Sequence, residues 1–389
     1  YRLRRDLFLI YLDNSATTRP LPEVAAYIAE ELSGEESYGN PGSLHRLGYL
    51  AEKKQKAASE TIGKILGCLP EEIYYTSCGS ESVNTAIRGY VHANKRAGRH
   101  IISTHTEHKA TLESLKFLEE SGYEVTYLHV GRDGKPDLSE LEEAIRPDTA
   151  LLTFTHVNNE TGAILPIAEI DRIRRRKNPN TKIHLDCVQS LGKLPIRLSD
   201  MGVDLASFSG HKIHSAKGSG VLFAKKNCRI SPLILGGGQQ RGIRSGTESV
   251  YLSGAFALAL SLAEKSREES YLRVTMLKKK LSEGLTDLGA TVLSPDDALP
   301  YVVNVSFPNF EAETMLHALE EKDIFVSTVS ACSSKQKKIS YVLLAMGIDM
   351  NLSKNAVRFS FSRFNTIEEI ERTVLSIHEV YNKYSVKRG

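Results

Sequence analysis

Apolar positions along this chain recur with two periods. Residues 72–76, 100–104, 124–129, 151–155, 182–186, 205–208 and 220–224 are short runs, apolar throughout or alternating, and each is predicted to be a strand. Between them, residues 109–120, 138–145 and 167–175 bring apolar side chains round every three to four positions, the spacing of an amphipathic helix. A strand–helix–strand rhythm of this kind requires a mostly parallel sheet, here seven-stranded, with helices on both faces, so the fold class is α/β. Upstream, a helical pattern at 55–66 follows the Gly/Pro loop 38–45. Downstream, one long helical pattern at 253–285 carries the chain away from the sheet. Strands at 302–307 and 357–361 and helices at 312–321, 339–346 and 367–384 then predict a smaller α+β domain. The boundary is placed near Lys265, giving a large domain over 11–265 and a small one over 266–389.

Composition adds little except exclusions. A chain of 389 residues can bury large cores, and 41% hydrophobic with 25% charged residues is ordinary for a water-soluble protein. The net charge of +3 gives no reason to expect a direct nucleic-acid partner, and the basic run 172–177 reads as a solvated helix face. No stretch reaches the length of a membrane span, and residues 1–10 are too short and too charged for a signal peptide. The cysteines Cys68, Cys78, Cys187, Cys228 and Cys332 are odd in number and widely spaced, which argues against a disulfide framework or a closed metal site and for a reducing cytoplasm.

Candidate chemistry gathers at the strand ends. The strand 205–208 runs into a glycine-flanked turn that presents Ser209, His211 and Lys212, and the strand 182–186 delivers Asp186 at its carboxyl end, where open α/β sheets bind ligands. A lone lysine after a strand is ordinarily a solvated cation. Paired with a carboxylate at a neighbouring strand end it suits pyridoxal phosphate, with the lysine forming a Schiff base and Asp186 keeping the pyridine nitrogen protonated. Gly79 and Ser80 open a helix straight after a strand, a place for a phosphate, although serines there also serve as simple caps. His108 begins another helix, and Asn159 follows another strand. Cys332 lies among serines just before Lys335, Lys337 and Lys338, a setting that favours a reactive thiolate. Arg358 sits inside an apolar strand pattern, where a planar fork for a carboxylate gives a charged residue its reason.

The motifs Ser209-Gly-His-Lys212, Asp186-x-x-Gln189 and Arg241-x-x-Arg-Ser-Gly-Thr247 resemble the cysteine desulfurases of the NifS/IscS type, within the aspartate-aminotransferase fold of pyridoxal-phosphate enzymes. The resemblance runs from Tyr11-Leu-Asp-Asn-Ser-Ala-Thr-Thr18 to Arg358-Phe-Ser360. It implies that Lys212 carries the cofactor, that Gly79 and Ser80 lie at its phosphate, that Ser209 and His211 also bind the cofactor, that His108 stacks on its ring and takes part in proton transfers, that Asn159 lies beside the ring and that Gln189 meets its phenolic oxygen. Arg358, with Asn159, would hold the carboxylate of L-cysteine, and Cys332 would take its sulfur as a persulfide. The glycine-rich arm 236–247 would cross to a second subunit of a homodimer, with Thr247 at the neighbour's phosphate. The sulfur would pass to an acceptor protein, an iron–sulfur scaffold or a thiolation enzyme. No metal is required, although Cys332 could ligate iron within a scaffold complex. Two departures from the family pattern, Val329 and Ser215-Ala-Lys217, touch loop geometry rather than the reacting groups. A selenocysteine lyase or an aminotransferase on the same fold is the nearest alternative, and neither needs an exposed carrier thiol. A non-catalytic scaffold would have no use for Lys212, Asp186 and His108 together.

Overall fold

A computed structural model describes residues 9–328 and 339–385. Thirteen strands occur among them: β1 (Ile10–Tyr11), β2 (Ile73–Thr76), β3 (His100–Thr104), β4 (Glu124–Leu128), β5 (Thr149–Thr155), β6 (Lys182–Asp186), β7 (Leu205–Ser209), β8 (Gly220–Ala224), β9 (Thr291–Val292), β10 (Val302–Ser306), β11 (Ile324–Phe325), β12 (Ser327–Thr328) and β13 (Ala356–Ser360). Seven of these form one sheet in the order β2-β8-β7-β6-β5-β3-β4. All neighbours are parallel except β8, which runs antiparallel to both β2 and β7. The sheet is therefore the expected seven-stranded, mostly parallel one.

The strands are apolar on both faces because helices cover both. One face packs against Arg46–Leu66, Ile167–Lys177 and Val250–Lys265 around Phe154, Phe208 and Phe256. The other packs Val83, Ile87, Leu115 and Leu118 over Ile101, Leu151 and Leu222. His184, inside the sheet, is paired on both sides: it lies between the hydroxyls of Thr153 (2.8 Å) and Ser207 (2.9 Å), and burial lowers its pKa to about 3.

A second core, with Phe307, Phe359, Leu281 and Ile377, lies under the antiparallel sheet β12-β13-β10-β9. β1 belongs to it: it pairs in parallel with β11, and Ile10 and Leu12 are buried there. The chain then laces back to the Lys212 turn. Asn14 N–H donates to Ser360 O (3.2 Å), and both the N–H and the hydroxyl of Thr18 donate to His211 O (2.9 and 2.8 Å). Residues 14–18 are thus drawn across from one core to the other.

Two elements differ from the sequence expectation. The single helical pattern at 253–285 is two helices, Val250–Lys265 and Arg267–Gly284, broken at Ser266, whose ψ of 9° is not helical. The side chain of Arg363 donates to Ser266 Oγ, so a tertiary contact marks the break that periodicity cannot reveal. The helix expected at 55–66 begins at Arg46, because His45 caps it by accepting from Gly48 N–H (3.3 Å).

Candidate active site

The carboxyl ends of β5, β6 and β7 open on a cavity of about 270 Å³. Lys212 enters it from the turn after β7, which is held because Gly210 has no room for a side chain: a Cβ there would sit 2.3 Å from Ser219 Oγ. The Lys212 ammonium donates to the backbone carbonyls of Ser15 and Ala16, the latter at 2.7 Å. Nothing in the spacing of apolar residues points to those two carbonyls; only the laced path of residues 14–18 brings them here.

Asp186, at the end of β6, faces the same space. It is 5% exposed, accepts from Val188 N–H (3.0 Å), and burial pushes its carboxyl up while His108, that N–H and Lys212 pull it down. His108 caps the helix Lys109–Glu120 by accepting from Ala110 N–H (3.1 Å). Its ring is accessible through the cavity but enclosed elsewhere, and that enclosure lowers its pKa against the pull of Asp186. Beside it Glu107 is 2% exposed and accepts from the hydroxyls of Thr104 (2.8 Å) and Thr155 (2.7 Å); burial raises its pKa to about 8.

The far end of the cavity is lined by Cys78, Gly79, Ser80 and Ser209. Gly79 starts the helix Gly79–Asn84. A Cβ on it would lie 2.9 Å from Val188 Cγ2 and 3.3 Å from Ser209 Cβ, so glycine keeps this cradle open. Ser209 Oγ is buried with no hydrogen-bond partner. An orphaned hydroxyl, a glycine cradle and backbone N–H groups at a helix start are what a phosphate monoester would satisfy, while Asp186 and Lys212 suit a pyridine nitrogen and an aldehyde. The residues present therefore fit pyridoxal phosphate.

Nine of the residues expected at the cofactor line this one cavity: Gly79, Ser80, His108, Asn159, Asp186, Gln189, Ser209, His211 and Lys212. His211 accepts from or donates to Thr17 Oγ1 (3.1 Å), and burial lowers its pKa to about 4. Thr247 is exposed and outside the cavity of its own chain. Arg358 is 7% exposed on β13 and lies one residue removed: its Nη1 donates to Asn159 O (3.1 Å), its Nη2 pairs with Asp13 (2.7 Å), and its Nε is buried without a partner. Cys332, with Val329 and the lysines after it, lies outside the described residues. Of the other cysteines, Cys187 is fully buried and its thiol pushed up by burial, and burial raises Cys68 and Cys228 to about 12. Cys78 lines the cavity itself, a placement that its position before Gly79 could have suggested.

Sequence reasoning missed Glu160 and Tyr341. Glu160 is 5% exposed, accepts from Ser340 Oγ (2.5 Å), and burial raises its pKa to about 7. Tyr341 Oη donates to Glu107 O (2.8 Å), so residues 340 and 341 clasp the turns that carry Asn159 and His108. Both contacts join positions far apart in sequence.

The class-V aminotransferase family model matches residues 10–373. Cysteine desulfurase IscS of Salmonella newport is 42% identical over 370 residues, spanning 94% of this chain and 91% of its own length. Among solved structures, a NifS-like protein superposes with a TM-score of 0.91 at 38% identity, covering 96% of this chain and all of that one. A NifS-like protein from Rickettsia africae gives 0.86 at 30%, covering 96% and 99%. SspA in complex with cysteine gives 0.80 at 32%, covering 92% and 100%.

Proposed function

The chain belongs to the class-V aminotransferase family and works as a pyridoxal-phosphate-dependent cysteine desulfurase, and on that premise we propose that Lys212, Asp186, His108 and Cys332 carry its reaction. The observation that supports this reading is the cavity that joins Lys212 and Asp186 to an unpaired Ser209 hydroxyl. Gly79, Ser80, Ser209 and His211 would hold the cofactor phosphate, Asp186 would meet its ring nitrogen, Gln189 its phenolic oxygen, and His108 would lie against the ring. When bound, the cofactor supplies an electron sink that acidifies the substrate Cα–H.

The chain's own groups do the rest. Arg358, whose guanidinium lies against Asn159 O and Asp13, pairs with the carboxylate of L-cysteine. Lys212 Nζ takes the Cα proton; the carbonyls of Ser15 and Ala16 restrict where that amine can stand. The Cys332 thiolate attacks the substrate sulfur, an S–S bond forms as the C–S bond breaks, and the carbon keeps the electron pair and is protonated. The sum is L-cysteine plus a thiol giving L-alanine plus a persulfide, with no external oxidant. His108 moves protons at the substrate.

The chain acts as a homodimer, with Thr247 completing the phosphate site of its neighbour. Its exposure, with that of Leu235 (81%), Leu44 (fully exposed) and Tyr38 (77%), supports a covering second copy. We divide the chain at 265/266 into a cofactor-binding part and a smaller part carrying Cys332. Sulfur passes to an acceptor protein, an iron–sulfur scaffold or thiolation enzyme, in a reducing cytoplasm; no described helix is long and apolar enough to cross a membrane. Borohydride reduction of the yellow holoenzyme followed by peptide mapping tests the assignment. The pyridoxyl mass is expected on the peptide containing Lys212; finding it on another lysine would overturn it.

A further inference from the structure

Lys193 is a buried cation that the reaction above does not use. It is 9% exposed, and Tyr301 supplies an aromatic face 5.6 Å from its Nζ. Burying an amine away from water costs free energy unless its hydrogen bonds are replaced, so a specific partner should account for it. That partner is Gln189: Lys193 Nζ donates to Gln189 Oε1 at 3.2 Å. Gln189 and Lys193 sit four residues apart in a run of turns after β6, closed by Gly192 at a φ of +66°. At that φ, and with a would-be Cβ 2.8 Å from Ala263 Cβ, only glycine turns the chain so that Lys193 folds back on Gln189.

A carboxamide has two ends, one accepting and one donating, and nothing in a glutamine itself decides which faces a cavity. Here both ends are fixed. As an ammonium Lys193 has no acceptor and can only donate, so it fixes Oε1 away from the cavity. Nε2 then donates to Ser15 O at 3.0 Å, the same carbonyl that receives Lys212, and its second hydrogen is left for the cavity that Gln189 lines.

We propose that Lys193 is a positioning residue that sets the orientation of the Gln189 amide, so that a donor rather than an acceptor meets the anionic phenolic oxygen of the cofactor. The inference rests on the reading that Gln189 faces that oxygen. Without Lys193 only the Ser15 carbonyl holds the amide, and an amide that rotates would set its own carbonyl against an oxyanion, losing one hydrogen bond and gaining one repulsion. Burial lowers the pKa of Lys193 to about 7, with Lys212 adding to the effect, and the ammonium form, which has no acceptor, is the one that fixes the amide.

The test is a double-mutant cycle read by cofactor affinity. Equilibrium dialysis of the full chain against pyridoxal phosphate, with the wavelength of the visible band as a second readout, is carried out for the parent, Lys193→Met, Gln189→Ala and both together. Each single variant is expected to weaken binding about tenfold, and the double variant also about tenfold rather than a hundredfold, with the same displacement of the band in all three. Lys193→Gln, one atom shorter and unable to reach Oε1, replaces Lys193→Met if that chain does not fold, with the same expectation. If Gln189→Ala weakens binding but the Lys193 variant does not, or if the two losses multiply, the positioning role is overturned. If Gln189→Ala itself leaves affinity and band at the parental values, the cofactor contact of Gln189 is what fails.

Discussion

Replacing Glu107 by glutamine should make the protein more stable relative to the parent as pH rises. The carboxyl is 2% exposed, receives the hydroxyls of Thr104 and Thr155, and has the charge of Asp186 nearby. Burial is the largest cause of its raised pKa, about 8 against an ordinary 4.5; the two hydroxyls pull it down and Asp186 pushes it up. Below the unfolded value both states hold the proton and the full contribution is present. Between the two values the folded chain keeps a proton that the unfolded chain has released, so stability falls as pH rises, and it levels off above the folded value. At about 1.4 kcal/mol per unit, the loss between pH 5.5 and 8 is on the order of 3 kcal/mol. With an unfolding entropy near 2 cal/mol/K per residue, that amounts to roughly 4 °C in Tm for a chain of this length. Glutamine mimics the neutral acid, keeping an acceptor for one threonine and a donor for the other, and cannot titrate. Calorimetry of parent and Glu107→Gln holoenzymes across that range should show the variant's Tm rising against the parent's by about this amount. A flat or falling difference would mean that Glu107 is ionised in the folded protein, which would refute the reasoning. A neutral Glu107 leaves Asp186 as the ionisable carboxylate facing the ring nitrogen, with no like charge beside it.

Arg358→Ala should lower kcat/KM for L-cysteine by about 30- to 1000-fold, the loss of a charge-assisted bidentate pair of roughly 2–4 kcal/mol, while cofactor absorbance remains; a change within about threefold would remove its carboxylate role. Gly79→Ala forces a methyl to 2.9 Å from Val188 Cγ2, so it should weaken cofactor binding about tenfold, measured by dialysis, and parental affinity would show that Val188 yields without disturbing the phosphate cradle.

Much of this site was legible because its residues stand at the ends of strands whose period-two pattern is plain. Asp186 and Ser209 close β6 and β7, and Lys212 follows three residues later. Periodicity finds the strand, and the polar residue just after it is then a candidate for chemistry. Glu107 and Lys193 were not legible as more than polar residues near motifs, since what makes each unusual is burial supplied by distant segments: Thr155 for one, Tyr301 for the other. Arg358 was found for its place in an apolar strand, but its pairing with Asp13 spans 345 residues and follows from β1 joining the second core. The break at Ser266 was hidden for the same reason, because Arg363 makes it from outside the helix.

The measurement that bears most directly on the central claim is mass analysis of the holoenzyme after incubation with L-cysteine in the absence of reductant, with alanine quantified in the same sample. A gain of about 32 Da per chain on the peptide containing Cys332, matched by one L-alanine and abolished in Cys332→Ser, is the expected result. Cys78 is the informative alternative, since it lines the cavity itself. The extra mass on the Cys78 peptide, or alanine formed at the parental rate by Cys332→Ser, would contradict the account.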